Sequence, residues 1–326
     1  MKMGGQIGYL CMIIFGVLLI MSSSAEGGGL EMNFYAKSCP KAEKIVLDFV
    51  HDHIHNAPSL AAAFIRMHFH DCFVRGCDGS VLLNTTSPEK VGPPNLTLRG
   101  FDFIDRVKSL VEEECPGVVS CADILTLVTR DSIVATGGPF WNVPTGRRDG
   151  VISRASETTA IPAPFANFTT LQTLFANQGL DLKDLVLLSG AHTIGVAHCS
   201  TISDRLYNFS GTGQTDPSLD SEYAENLKTK KCPNPKDNTT KIEMDPGSRN
   251  TFDLSYFSLL LKRRGLFESD AALTTNSVTF SFINQILSGS VHDFFAEFAK
   301  AMEKMGRINV KTGSEGQIRK HCALVN

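Results

Sequence analysis

The chain has 326 residues, 42% of them hydrophobic, so a sizeable core can be buried in one large domain or two ordinary ones. Its 31 basic and 34 acidic residues leave a formal net charge of -3 with no long basic run, which gives no electrostatic reason to expect nucleic acid as a partner.

Lys2, an apolar run from Leu10 to Met21 and then Ser22, Ser23, Ser24 and Ala25 form the pattern of a secretory signal peptide over residues 1–25. A membrane anchor is the rival reading, but spanning takes about 18 or more apolar residues and this run is shorter. The mature chain, 26–326, is therefore expected to be secreted and free of the membrane. Removing Cys11 with the signal leaves Cys39, Cys72, Cys77, Cys115, Cys121, Cys199, Cys232 and Cys322, an even set that argues for four disulfides in an oxidising compartment. Sequons at Asn84, Asn95, Asn167, Asn208 and Asn238 agree with that route.

Along the mature chain, Ile45, Val46, Phe49, Val50 and Ile54 keep helical spacing and predict an amphipathic helix within Cys39 to His55. Ala57, Pro58 and Ser59 interrupt it, and a second helix is predicted from about Leu60 to Cys72, followed by a polar loop and a Ser, Pro and Gly rich segment, Ser87 to Thr97. Phe103 to Val111 predicts a third helix, ended by Cys115-Pro116-Gly117, and Ser120 to Ala135 a fourth, stopped by Gly137, Gly138 and Pro139. Phe140 to Pro164, with Trp141, Arg147 and Arg148, lacks helical period and predicts a long loop holding a short strand pair. Helical period returns from Phe168 to Phe175, and again from Leu182 through Leu188 into His192. A polar stretch from Ser210 to Asn250 precedes three more helical patterns, Phe252 to Leu261, Val278 to Leu287 and Val291 to Met305. Alternating apolar and polar runs are scarce, so the fold class is all-α, without repeats or a linker between domains.

The stretch RMHFHDCFVRGCDGSVLL, Arg66 to Leu83, carries the strongest chemical signal. On a helix Arg66, Phe69 and His70 share one face at i, i+3 and i+4. A histidine near its reference pKa of about 6.5 can move a proton between the two oxygens of a peroxide, while a permanently cationic arginine stabilises the charge that builds as the O–O bond parts. Reading His68, His70 and Asp71 as ligands of a hydrolytic zinc is the rival, but on a helix His68 and His70 lie on nearly opposite sides. In the following loop Asp71, Val74, Gly76, Asp78 and Ser80 alternate carboxylate, carbonyl and hydroxyl oxygens, the ligand set of calcium. A second site is read in DLVLLSGAHTIG, where Leu185, Leu188 and His192 at i, i+3 and i+7 bring the histidine to the apolar side of a helix end. Such a histidine is a core residue or, with its other ring nitrogen given to an acceptor, a haem ligand.

Together these motifs, the eight cysteines and the ordered stretches NFYAKSCP, VSCADIL, GGPFWNVPTGRRDG, DRLYNF and MDPGSRNTFD resemble the class III secretory plant peroxidases from Asn33 to the end. The resemblance implies a haem-peroxidase fold of about ten helices around a central haem cleft, with a distal half near residues 30–165 and a proximal half near 166–326. It implies one haem b and two Ca2+ per chain, and an enzyme that reduces hydrogen peroxide to water and oxidises small phenolic donors in two one-electron steps. Arg66 matches the distal transition-state stabiliser, His70 the acid/base, Phe69 the ring between them and Asn95 the amide that accepts from the acid/base histidine. His192 matches the axial iron ligand and Asp270 its acceptor; Pro162 matches the proline that touches donors at the haem edge. One calcium site would comprise Asp71, Val74, Gly76, Asp78 and Ser80, with Glu89 linked through water; the other Thr193, Asp245, Ser248, Thr251 and Asp253. The implied disulfides are Cys39–Cys115, Cys72–Cys77, Cys121–Cys322 and Cys199–Cys232. Asn84, Asn167, Asn208 and Asn238 remain as glycosylation candidates, Asn95 being expected buried and bare. Thr201 and Met244 depart from aromatic residues that some members carry. The further expectations are a monomer exported to the apoplast and cell wall rather than the vacuole, since only Ala323 to Asn326 follow Cys322. The competing class is a secreted, haem-free scaffold or binding protein that keeps the fold.

Overall fold

The computed structural model describes residues 29–326; the signal peptide reading and Cys11 lie outside the described residues. Helix α1 (Ala42–Ile54) buries Val46, Val50 and Ile54, one residue per turn, on the side that meets α4. Helix α2 (Ser59–Phe73) is buried on most of its circumference, which explains why polar residues such as His68, His70 and Asp71 can sit in the interior here. Helix α3 (Phe101–Glu114) follows two short 3-10 turns, Glu89–Val91 and Pro93–Asn95. Helix α4 (Cys121–Ala135) starts where the Ser120 hydroxyl accepts from Asp123 N, and buries every residue from Cys121 to Ile133. It is the central post against which α1, α2 and α3 pack.

In the second half, Asn167 caps α5 (Phe168–Asn177), and Asp181 with Asp184 forms a capping box at α6 (Leu182–Ser189). Helix α6 packs against α5, α11 (Ser277–Ser288) and α12 (Val291–Met305). Between them come α7 (Cys199–Tyr207), α8 (Ser221–Asn226), α9 (Ser255–Leu261) and α10 (Glu268–Ala272). A smaller apolar cluster under α7 and α8, with Ile202, Leu206, Leu227 and Ile242, stands apart from the main core. The four disulfides pair Cys39 with Cys115, Cys72 with Cys77, Cys121 with Cys322 and Cys199 with Cys232, the pairing the resemblance implies.

The all-α class holds, with three differences of detail. The described residues contain twelve α-helices rather than about ten; α7, α8 and α10 are not among the helical patterns read in the sequence. No strand pair forms within Phe140 to Pro164. Thr145 instead bridges to Glu31, Arg148 to Lys311 and Asp149 to Gln317, so the segment is pinned by both ends of the chain. The one ladder among the described residues pairs β1 (Val196–His198) with β2 (Lys241–Glu243), inside what reads as helix end and polar stretch.

Candidate active site

Helix α2 sets the first cluster. Asn95 reaches it from the 3-10 turn Pro93–Asn95 and is oriented by donating its own Nδ2 to the Glu89 carbonyl (2.9 Å). Its Oδ1 is thereby left to accept from His70 Nδ1 at 2.5 Å. With that proton on Nδ1, the Nε2 lone pair of His70 is the free one. Burial, then the Arg66 charge, brings the His70 imidazole down to about 3, although the Asn95 bond works the other way. At neutral pH His70 is a free base. Arg66 donates to Thr97 Oγ1 (2.9 Å) and to the Pro94 carbonyl (2.7 Å), so the same turn that supplies Asn95 also fixes the guanidinium. Phe69 packs on Phe73 and Phe175, with centroids 4.2 and 6.2 Å away, tying this face of α2 to α5.

His68, two residues from His70, points elsewhere. It is buried against the Cys72–Cys77 disulfide, with Nδ1 at 3.7 Å from Cys72 Sγ. His68, Cys72 and Cys77 are close enough to suggest a metal cluster, but sulfurs bonded to each other offer no thiolate, and the zinc reading has no ligand set.

The loop after α2 gathers acid in the interior. Asp71, Asp78, Ser80 and Glu89 are all buried. Asp71 accepts from Gly79 N (2.9 Å) and Val81 N (3.3 Å), and Asp78 from Ser80 N (3.0 Å). The turn needs Gly76, at φ +91, where a Cβ would lie 2.5 Å from the Ile308 carbonyl oxygen. Burial pushes all three carboxyls up, Glu89 to about 8, with Asp78 adding repulsion to both Asp71 and Glu89. Ser80 Oγ and Glu89 Oε2 are buried with no hydrogen-bond partner. Converging hard oxygens, two of them orphaned, fit a calcium ion and supply what it would neutralise.

Helix α6 ends at Ser189, and His192 stands on the 3-10 turn Gly190–Thr193 that continues it, not on the helix itself. Its Nδ1 donates to Asp270 Oδ1 at 2.7 Å. Asp270 is buried at the start of α10; burial alone would raise its carboxyl, but the His192 charge and hydrogen bonds hold it below the usual range. Among the described residues nothing bonds to His192 Nε2, and the side chain stays 37% exposed inside a frame of Tyr256 and Phe267. An imidazole with one nitrogen committed and the other open fits an axial haem ligand. Gly195, at φ +100, brings the chain after His192 against α2, where a Cβ would meet Ala62 at 2.9 Å.

Thr193 begins a second oxygen cluster. Asp253 accepts from Thr193 Oγ1 and from Ser248 Oγ, both at 3.1 Å, while Thr251 N donates to the Ser248 carbonyl. Asp245 is raised to about 6 by burial and then by Asp253, and its Oδ2 is a buried orphan. These residues fit a second calcium. Pro162 lies in a half-buried segment that Ser269 N fastens by its Pro164 carbonyl (3.0 Å), next to the 72% exposed Phe165. Asn84, Asn167, Asn208 and Asn238 are exposed, and Asn95 is buried.

Sequence reasoning overlooked two partners. Ser153, in the long loop, donates to Glu89 Oε1 (3.2 Å) and accepts from Glu89 N (2.9 Å). Tyr256, on α9, donates to Asp270 Oδ1 at 2.9 Å. Nothing in the sequence separates Tyr256 from its core neighbours.

A family model described as peroxidase matches residues 46–288. Among curated proteins the chain is 70% identical over 300 residues to Peroxidase 3 of Arabidopsis thaliana, covering 91% of this chain and 92% of that one. It is 66% identical to Peroxidase 39 of Arabidopsis thaliana (96% and 99% covered) and 51% identical to Peroxidase 1 of Oryza sativa subsp. japonica (96% and 97%).

Proposed function

The chain belongs to the peroxidase family and is a peroxidase, and from that premise we propose that haem b and two Ca2+ serve it, with small phenols as electron donors to hydrogen peroxide. The observation that carries this reading is a pair of imidazoles, His70 and His192, each with Nδ1 given to a side-chain oxygen (2.5 and 2.7 Å) and each with Nε2 available. Haem b, when bound, supplies the redox iron that passes electrons from donors to peroxide.

His192 would hold that iron through Nε2, with Asp270 raising its basicity. His70, neutral because burial depresses its pKa, would take the proton from one peroxide oxygen at Nε2 and return it to the oxygen that departs as water. Asn95 keeps the required tautomer by accepting from Nδ1. Arg66 lies close enough to lower the His70 pKa by its charge, and that same positive field stabilises the departing oxygen. Donors lose single electrons near Pro162 without reaching the proton-transfer groups. Export to the apoplast, with sugars at Asn84, Asn167, Asn208 and Asn238, agrees with the exposure of those four residues, and no helix among the described residues is long and apolar enough to cross a membrane.

The test is His70→Ala in the purified haem protein. Stopped-flow spectra should show the reaction with peroxide slowed by about 10²- to 10⁴-fold, with donor oxidation less affected. An undiminished peroxide step would remove His70 from its role. Purified wild-type protein with no Soret band would instead favour the haem-free scaffold.

A further inference from the structure

Asp270 carries more than His192. Its Oδ1 accepts both His192 Nδ1 (2.7 Å) and Tyr256 Oη (2.9 Å), and its Oδ2 accepts Phe267 N (2.8 Å). Asp270 and Tyr256 are each 1% exposed, so no bulk water competes for the carboxylate, and the Tyr256 ring meets the His192 ring edge to face at 5.7 Å. In a dry site, hydrogen bonds to a charged oxygen are strong and draw on the same electron density. Each donor added to Oδ1 weakens the pull that Oδ1 exerts on the other.

We propose that Tyr256 is a positioning residue that moderates the donation of His192 to the iron, by sharing Asp270 Oδ1 and so limiting how much imidazolate character His192 acquires. The proposal rests on the reading of His192 as the axial ligand. Two donors converging on one oxygen also fix the carboxylate rotamer, so Tyr256 holds the line along which His192 Nδ1–H points. The network differs from a plain histidine–aspartate pair in one respect: removing the phenol makes Asp270 a stronger acceptor toward His192, not a weaker one. The iron should then become harder to reduce, because a more anionic imidazole favours the ferric state.

The experiment is Tyr256→Phe in the haem-loaded, disulfide-intact protein, read by spectroelectrochemistry of the ferric/ferrous couple and by the iron–histidine stretching band of the ferrous form. The expected result is a potential lowered by up to about 59 mV, a tenfold change in the one-electron equilibrium, with the band moved to higher frequency. Site-specific 3-fluorotyrosine at Tyr256, a stronger donor that keeps the ring, should shift both readings the opposite way. Tyr35→Phe is the control, since Tyr35 also donates to a buried carboxylate, Asp123 Oδ2 at 2.7 Å, on α4. A Tyr256→Phe protein with the wild-type potential and band, or an equal shift in Tyr35→Phe, would overturn the proposal. A wild-type ferrous spectrum without an iron–histidine band would overturn the reading of His192 itself.

Discussion

His68 offers a test of the interior of α2 that leaves the chemistry alone. Burial, and then the charge of Arg147, pulls its imidazole down to about 3, the value that His70 also reaches. In the unfolded chain each returns to about 6.5, so between these values the unfolded state holds a proton that the folded site rejects. Acid therefore favours unfolding: the contribution is fully present above about pH 6.5 and is lost as pH falls toward 3. Between pH 7 and pH 5 the loss is about 2 kcal/mol for each histidine, about 4 kcal/mol for the two. His68→Leu removes one of them at roughly constant volume and leaves His70 in place. Urea unfolding with the disulfides intact, at pH 5, 6 and 7, gives the difference between wild type and variant, in which the buried carboxyls largely cancel. The variant should lose about 2 kcal/mol less than wild type over that range. Parallel stability curves for the two proteins would show that His68 titrates normally and that α2 is not sealed from water.

Two further outcomes follow from the buried charges. If the loop after α2 holds calcium as proposed, removing it leaves the buried Asp71, Asp78 and Glu89 carboxyls uncompensated, so a metal-analysed calcium-free sample should unfold at lower temperature by calorimetry, with about 2.7 kcal/mol lost if the working calcium stood at 100 times its dissociation constant; an unchanged transition and an unchanged peroxide step would refute the assignment of that loop. Asp123→Ala strips the partner from Arg147 Nη1 (2.7 Å) and leaves a buried guanidinium short of charge, which should cost about 3–5 kcal/mol in urea unfolding, against less than about 1 if water reaches the site.

How much could be read in advance depends on whether a residue's role is local. Helices α1 to α6 announced themselves because each keeps its apolar period for two turns or more, and Arg66, Phe69 and His70 shared a face because one helix carries all three. The candidate calcium loop could be read as one unit for the same reason, as its oxygens alternate over ten residues, Asp71 to Ser80. The second oxygen cluster was not, since Thr193 and Asp253 lie sixty positions apart in the chain, and only the family resemblance grouped them. The same holds for His192 with Asp270, and Tyr256 escaped notice altogether because a buried tyrosine on a short helix looks like packing. Phe140 to Pro164 misled for a related reason: its extended backbone finds its partners at Glu31, Lys311 and Gln317, at opposite ends of the sequence.

The order of residues at the end of α2 couples the proposed metal loop to the proposed proton-transfer histidine. His70 and Asp71 are consecutive, so they project about 100° apart around one helix. Asp71 is held by Gly79 N and Val81 N, and the Cys72–Cys77 bond pins the chain just before those donors to the end of α2. Fixing Asp71 thus fixes the rotation of α2 about its axis, and with it the direction of His70 toward Asn95. A cation drawing Asp71, Asp78 and Ser80 together would add to the restraint that packing already gives, because oxygens committed to one centre admit a single register. Calcium bound there would act on the speed of the peroxide step through geometry, and its loss should displace His70 before it unfolds the chain.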